Sequence, residues 1–495
     1  MYEQTIDHSS LRVGAAAFQL SARRYVGLFA AAALSMVLNG CVMFMPDRIH
    51  YSWDDNQQSL PSAGGGGAQN TLTFADIAAA PDVEDAAQRQ APFVGLAFSG
   101  GGSRAATFAA AGAEALAEYG LLDHVTHISS VSGGSFAASY LAVRRPHEAR
   151  CESDPEVCRR RSFAEYKKVM RHNYLVPMEL RQIVNVNRHL SPTRRITSLQ
   201  EVLDNQFLDD ATFGSLDTAP ALFINAASYD DARRFVFSNT PIADTPLKTP
   251  PFDEDILRTS SFSRGECLRR TPDDFPLSLA VAASAGFPPA LGPVAIEAPP
   301  GCGVATTTYW HLGDGGILEN TGVETLQEIF LRAAEKDNAF GKGVVFSFDS
   351  GTTRPAEESL AARNLNLWTN DPGRVVSILY DRAQALRDIV WRGVNENLDE
   401  PLRIVSMRYD SGDLMRELNG AWPESCDVGK RRGDTFQAHL ARVPLSLKIS
   451  DCDADLVEAS ARALVRDMVT REKSYLSEIG LLREPLQPST RSPQR

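Results

Sequence analysis

The stretch "ISSVSGGSFAAS", residues 128–139, changes character at Ser132. The preceding run "VTHISSV" predicts a buried strand, and the small residues that follow in "GSFAASYLAVRR" favour a helix. A serine on a sharp turn between a strand and a helix is typical of a nucleophile elbow, and Gly133 and Gly134 give that turn the room it needs. Ser130 stands where the full Gly-x-Ser-x-Gly pattern has a glycine, so an ordinary tight turn is the alternative interpretation.

A second glycine-rich turn, "SGGGSR" at 99–104, follows the predicted strand "FVGLAF" and precedes an alanine-rich helix. Consecutive Gly100, Gly101 and Gly102 leave their backbone N–H groups without side-chain cover at the positive end of the helix dipole. Such amides suit a developing oxyanion or a phosphate group. The run lacks the Gly-Lys-Ser/Thr of a P-loop and the spacing of a dinucleotide fingerprint. It therefore predicts an oxyanion hole, with a simple tight turn as the alternative.

A third turn, "LGDGG" at 312–316, follows the predicted strand "TTTYWHL". It places the carboxylate of Asp314 at a strand end, and Gly315 and Gly316 allow another turn to approach closely. A carboxylate in that position can act as a base toward a serine hydroxyl. An isolated Asp-Gly-Gly sequence is also typical of an ordinary turn. His311, three residues before the aspartate, is expected to pack in the core.

Strand-like and helical segments alternate between about residues 92 and 350. This alternation predicts an α/β fold with a mostly parallel central sheet and helices on both faces. Residues 351–495 are predicted to form a largely helical C-terminal extension with a disordered tail. One of its helices carries an apolar face that includes Leu386 and Ile389. This helix is expected to pack on the main core, and insertion into a membrane is the alternative. Open sheets of this class build sites where strands end, so the three turns are expected to converge.

Three motifs in this order resemble the patatin-like phospholipase family: the glycine run that ends at Arg104, Ser132 in its elbow, and Asp314 with its two glycines. Asn320 and the small-residue segment around Ser284 also fit the family pattern, whereas Gly322 stands where a proline is common. The resemblance covers about residues 93–349. It implies a three-layer patatin-like fold and hydrolysis of acyl esters by a Ser-Asp dyad.

The resemblance implies a role for each matched residue. Ser132 attacks the ester carbonyl to give an acyl-enzyme, while Asp314 takes its proton without a histidine relay and later activates water. The amides of the glycine run hold the oxyanion. Arg104 orients that loop or meets a phosphate, with a solvated first-turn residue as the alternative. No cofactor or metal is implied, and the other supporting residues are Gly133, Gly134, Gly315 and Gly316.

Two other interpretations stay open. An α/β-hydrolase with a Ser-His-Asp triad would place its acid and its histidine after Ser132, and Asp349 and His439 are the candidates. The second alternative is a catalytically silent protein that uses the same fold to bind at a surface. The intact serine, aspartate and glycines favour a lipid acyl hydrolase, whether phospholipase A, lysophospholipase or esterase.

The N-terminal segment predicts export. Two arginines precede the apolar run 26–38, which is too short to span a bilayer comfortably and is typical of a signal peptide. The string "LNGC" resembles a bacterial lipobox, so residues 1–40 are predicted to be removed and Cys41 to be lipidated. Residues 41–91 are expected to form a tether to a membrane of the bacterial cell envelope, at the outer membrane or facing the periplasm.

Cysteine usage agrees with export. Six cysteines remain after Cys41, and an even number suits a protein that forms disulfides. The spacing favours a pair between Cys151 and Cys158, and reduced buried cysteines are the alternative.

The charge balance limits the choice of partner. A formal net charge of −12 and a sequence pI near 5.3 argue against a general nucleic-acid binder. No Asp/Asn-rich loop indicates calcium, and no Cys-x-x-Cys pair indicates zinc. The predicted partners are a phospholipid or another acyl-ester lipid and a membrane surface.

Overall fold

The computed structural model describes the following residues: 48–52, 91–148, 154–185, 188, 191–217, 219–242, 259–262, 270–288, 291–298, 309–335, 340–351, 374–396, 398, 401–426 and 435–482. The predicted signal peptide, the lipidation site Cys41, most of the tether and the C-terminal tail lie outside these residues. So does Cys151, on which the predicted pairing with Cys158 depends.

A single mixed sheet forms the centre of the molecule. Its described strands are β1 (Ile49–Tyr51), β2 (Phe93–Phe98), β3 (His127–Val131), β4 (Ala221–Ser228), β5 (Arg234–Ser238), β6 (Ser260–Ser261), β7 (Val294–Glu297), β8 (Tyr309–Asp314), β9 (Gly343–Asp349) and β10 (Leu402–Arg408). Eight strands are connected by pairing in the order β1-β7-β8-β4-β3-β2-β9-β10, and β5 pairs with β4 and β6. β5 occupies one edge of β4, and β3 and β8 pair with different residues of the other edge. From β4 to β10 along this order the neighbours are parallel, while β8 is antiparallel to both β4 and β7.

Helices cover both faces of the sheet, as the alternating sequence predicts. They are α1 (Gly102–Glu118), α2 (Gly133–Arg144), α3 (Pro155–Met170), α4 (Leu175–Val184), α5 (Pro192–Leu203), α6 (Leu277–Ser284), α7 (Val323–Glu335), α8 (Arg374–Asn395), α9 (Leu414–Glu417), α10 (Phe436–Leu440) and α11 (Asp451–Glu478). Phe98 of β2 packs with α1 on one face, and Phe93 of the same strand packs with α7 on the other. Strand β2 is therefore buried on both sides, which accounts for its nearly continuous apolar sequence.

The short strand β1 corrects the expectation that all of residues 41–91 form a tether. β1 pairs in parallel with β7 at the edge of the sheet. Tyr51 donates a hydrogen bond from its hydroxyl to Asp274 (2.9 Å), and the His50 ring lies 2.6 Å from the carbonyl oxygen of Thr193. Three residues are too few for the alternating pattern that identifies a strand from sequence.

The C-terminal region shares the sheet and the core of the preceding residues. β10 pairs in parallel with β9, and the long helix α11 packs against α1. The expected packing of α8 on the core is wrong for Leu386 and Ile389, whose side chains are exposed. Among the described helices, none combines the length and the apolar character needed to cross a membrane.

A disulfide joins Cys426 to Cys452 at the start of α11. Cys158 also forms a disulfide. The presence of disulfides agrees with the even cysteine count and contradicts the alternative of reduced cysteines at these positions.

Replacing Cys426 and Cys452 together by alanine should lower the free energy of unfolding by about 2–4 kcal/mol, because the unfolded chain loses a closed loop. The bond spans 26 residues of sequence. Urea unfolding of the variant and the wild-type protein measures the difference. An unchanged unfolding midpoint would show that this bond does not restrict the unfolded chain.

Candidate active site

Strand register brings Ser132 and Asp314 together. One edge of β4 pairs continuously with β5. The opposite edge is shared by two strands: β3 pairs with it up to Val131, opposite Asn225, and β8 pairs with it up to Asp314, opposite Ala226. Because β3 is parallel and β8 antiparallel to β4, these two strands end facing each other at adjacent positions of β4.

The two side chains meet in a buried hydrogen bond. The Ser132 hydroxyl donates to Oδ2 of Asp314 over 2.8 Å. The other carboxylate oxygen, Oδ1, accepts the backbone N–H of Gly316 at 2.8 Å, which fixes the orientation of the carboxylate. Both side chains are buried. The serine is thus in direct contact with a base that is already oriented, with no group between them.

Burial makes the Asp314 carboxylate a stronger base than an exposed aspartate. Desolvation raises its pKa to about 6, although the hydrogen bonds from Ser132 and Gly316 act in the opposite direction. Desolvation has this effect because it disfavours the charged form of a carboxyl group. General bases work best when their pKa lies near the working pH, so this shift suits proton transfer from a hydroxyl.

Ser132 occupies the strained backbone position that its sequence context predicts. Its φ of 50° and ψ of −122° lie in a region that costs about 1–3 kcal/mol for a residue with a side chain. The next residue has to be glycine, because a Cβ on Gly133 would lie 2.1 Å from the carbonyl oxygen of Gly102. A Cβ on Gly134 would lie 2.5 Å from the carbonyl oxygen of Phe98. The elbow is therefore pressed against the glycine-rich loop.

Contacts from three other segments hold the glycine-rich loop. The Gly100 N–H donates to the carbonyl oxygen of Asn320, and the Ser103 N–H donates to that of Ser446, both at 2.8 Å. The Ser350 hydroxyl donates to the carbonyl oxygen of Gly100. The loop is thus fixed between the segment after Asp314, the end of β9 and the C-terminal region.

Two of the three glycines predicted to donate to the oxyanion remain candidates. The N–H of Gly100 is already bonded, which leaves Gly101 and Gly102 as the candidates within this run. Their φ values of +143° and +61° belong to the region that favours glycine. The loop lies directly against the serine, since a Cβ on Gly100 would be 3.1 Å from the Cβ of Ser132.

Arg104 is turned into the protein. Its Nη1 donates to the carbonyl oxygen of Val443 at 2.8 Å, and its guanidinium lies 4.8 Å from the ring centroid of Tyr409. The side chain is buried, so the alternative of a solvated first-turn residue is wrong. These contacts join α1 to the C-terminal region and fit the predicted role in orienting the loop.

His439 and Asp349, the candidates for the alternative triad, have other hydrogen-bond partners. Nε2 of His439 lies 2.6 Å from the carboxylate of Asp453. Asp349 accepts the N–H of Gly351 at 2.8 Å. The structure brings neither of them to the Ser132 hydroxyl. The expectation that His311 packs in the core is wrong, because this half-exposed ring lies 3.0 Å from Asp230.

The roles of three serines in supporting the site were not apparent from the sequence. Ser350 directly follows β9, so a search for polar residues at strand ends could have found it. Ser446 lies in a segment without a motif, and it contributes a backbone carbonyl, for which sequence carries no signal. Ser284 was visible in the small-residue segment, but nothing indicated that its hydroxyl accepts the N–H of Ser132, at 2.8 Å. Among the described residues, no group of His, Cys, Asp and Glu side chains is placed to hold a metal ion.

Comparisons with known proteins agree with the motifs. A family model described as patatin-like phospholipase matches residues 96–326, which include the glycine run, Ser132 and Asp314. No curated protein sequence matches the chain.

Solved structures that resemble the chain include human GIVD cytosolic phospholipase A2, at 14% identity and a TM-score of 0.40. That match covers 78% of this chain and 60% of the phospholipase, so the chain spans less than two thirds of that protein. The complex of the same phospholipase with methyl gamma-linolenyl fluorophosphonate gives 14% identity, a TM-score of 0.42, and coverage of 80% and 60%. VipD from Legionella pneumophila gives 14% identity and a TM-score of 0.25, with 79% of each chain covered.

The reaction of Ser132 with a fluorophosphonate should depend on pH through Asp314. The carboxylate must be deprotonated to accept the serine proton, so the rate should rise as the pH rises through about 6. The second-order rate constant of labelling, measured from pH 3 to pH 9, tests this. A rise centred near the ordinary value of 3.8 would contradict the buried environment of the carboxylate.

Proposed function

We propose that this protein is a serine acyl hydrolase that cleaves lipid esters with a Ser132–Asp314 dyad. The observation that carries the proposal is the buried 2.8 Å hydrogen bond from the Ser132 hydroxyl to the Asp314 carboxylate. It lies within the residues matched by the patatin-like phospholipase family model. A dyad of this kind is compatible with phospholipase A, lysophospholipase or neutral lipid esterase activity.

The first half of the reaction forms an acyl-enzyme. Oγ of Ser132 attacks the ester carbonyl carbon while its proton moves to Oδ2 of Asp314. The tetrahedral intermediate then collapses, the bond to the leaving alcohol breaks, and Asp314 returns the proton to the departing oxygen. The ester thereby becomes an acyl-serine and a free alcohol or lysolipid.

The second half releases the fatty acid. Asp314 accepts a proton from water, and the resulting hydroxide attacks the acyl-serine carbonyl. Collapse of this intermediate breaks the bond to Oγ, which takes the proton back from the carboxyl group. In both halves, the N–H groups of Gly101 and Gly102 stabilise the negative oxygen, and donors at about 2.7–3.1 Å from that oxygen are required.

Two exposed apolar residues that neighbour the site in sequence are consistent with a lipid substrate. Phe287 follows Gly286, whose carbonyl oxygen accepts the Asp314 N–H at 3.2 Å, and it is 40% exposed. Leu445 precedes the Ser446 carbonyl that holds the glycine-rich loop, and it is 71% exposed. Both residues are adjacent to a backbone contact of the site, and acyl chains would cover their apolar surface.

We further propose that the mature protein is attached to a membrane of the bacterial cell envelope through lipid on Cys41. The lipobox-like sequence supports this location. The Cys426–Cys452 disulfide also supports it, because disulfides persist in oxidising compartments.

Ser132→Ala and Asp314→Asn should each lower hydrolysis of a short acyl ester by about a thousandfold or more, as removal of a nucleophile or its base does in serine hydrolases. The alanine lacks the attacking oxygen, and the amide cannot accept its proton. Circular dichroism should show that both variants keep the fold. Rates are measured with purified protein that lacks residues 1–40.

His439→Ala is the control for this experiment and should hydrolyse the ester at close to the wild-type rate. A large loss in this variant would favour a histidine-containing triad instead. A wild-type protein that neither hydrolyses the ester nor reacts with a fluorophosphonate would identify the chain as a catalytically silent binding protein. Normal turnover by either dyad variant would refute the proposed mechanism.

A further inference from the structure

We propose that Ser284 is a positioning residue that holds the backbone of Ser132 in its reactive conformation, a role that rests on the proposed function. Ser284 is the last residue of α6 and lies far from the elbow in sequence. Its Oγ accepts the backbone N–H of Ser132 at 2.8 Å. It is fully buried and does not bond the Ser132 hydroxyl or the Asp314 carboxylate, so it acts through the main chain.

The three partners of the Ser284 hydroxyl determine which group donates in each hydrogen bond. Its own O–H donates to the carbonyl oxygen of Asn225 at 2.6 Å. A serine hydroxyl has one proton and two acceptor sites. The contact with the hydroxyl of Ser135, at 3.0 Å, must therefore be donated by Ser135, and the second acceptor site receives the Ser132 N–H. All three bonding positions of the hydroxyl are occupied.

Asn225 links this hydroxyl to both halves of the proposed dyad. Its side-chain amide donates to the carbonyl oxygen of Ser130, two residues before the nucleophile, at 2.9 Å. Its backbone carbonyl lies against the turn after Asp314, since a Cβ on Gly315 would be 2.5 Å from that oxygen. Ser284 thus joins α6 to the strand on which the ends of β3 and β8 meet.

The strained elbow explains why such a contact is needed. A residue at φ 50° and ψ −122° keeps that conformation only when its surroundings impose it. The bond from Ser284 fixes the peptide plane that precedes Ser132, so a change in the φ angle of the elbow would have to break this bond or move the rest of the turn. Without the hydroxyl, the buried Ser132 N–H and the Asn225 carbonyl would each lose a partner, and the elbow could relax toward a less strained conformation.

Threonine and valine at position 284 provide a matched test. Both add the same branched volume, and only threonine keeps the hydroxyl. Ser284→Val should react with a fluorophosphonate about tenfold more slowly than Ser284→Thr, and Ser284→Ala should also be slower than wild type by about tenfold or more. In ester hydrolysis the loss should appear in kcat, with KM changed by less than about twofold, because the substrate contacts are intact.

The pH profile separates positioning from a general structural defect. Ser284→Val should show a lower plateau rate while the rise in rate stays near pH 6, because Asp314 keeps its buried surroundings. Ser139 of α2 is the control site, since it is fully buried and its hydroxyl has no partner among the described residues. Its valine and threonine variants should react at equal rates.

Equal labelling rates for Ser284→Val and Ser284→Thr, with an active wild-type protein, would overturn this inference and leave the dyad proposal standing. A parallel loss in kcat and in thermal stability, with a shifted pH profile, would also overturn it in favour of a structural role. A wild-type protein that does not react with the probe would overturn both the dyad and the positioning role.

Discussion

The site depends on one constraint, the meeting of β3 and β8 end to end along a single edge of β4. In a fully parallel sheet the ends of neighbouring strands lie side by side, about 4.8 Å apart for each strand crossed. Here one strand runs parallel and the other antiparallel to β4, so their last residues face adjacent β4 positions. A hydroxyl and a carboxylate on these ends reach 2.8 Å without an intervening imidazole. The strand directions therefore account for the direct contact on which the proposed dyad rests.

Two unfavourable features follow from that meeting and are compensated locally. The Ser132 backbone is strained, and the surrounding glycines and the Ser284 hydroxyl hold it in place. The Asp314 carboxylate is desolvated, and two hydrogen bonds offset only part of the effect on its pKa. The uncompensated part raises its basicity, so burial of the site serves the proposed proton transfer. The C-terminal region completes the arrangement, because the Ser446 carbonyl holds the glycine-rich loop.

Sequence predicted the parts of this account that depend on local pattern. The elbow, the glycine run and the Asp-Gly-Gly turn each combine a strand end with small residues, and the α/β class follows from the alternation of elements. The antiparallel direction of β8 was not predictable, because strand order is a long-range property. The contact made by Ser446 was equally unpredictable, because its backbone carbonyl accepts the hydrogen bond and every residue type has such a carbonyl. The short strand β1 has too few residues to show the alternation of polar and apolar side chains that identifies a strand in sequence.

The most direct test of the central claim is a crystal structure of the protein after reaction with a fluorophosphonate. We predict a phosphorus–oxygen bond to Oγ of Ser132, with the phosphoryl oxygen within about 3.1 Å of the N–H groups of Gly101 and Gly102. The Asp314 carboxylate should remain beside the modified serine, opposite Ala226 on β4. A phosphonate on another serine, or an Asp314 side chain directed away from Ser132, would contradict the account.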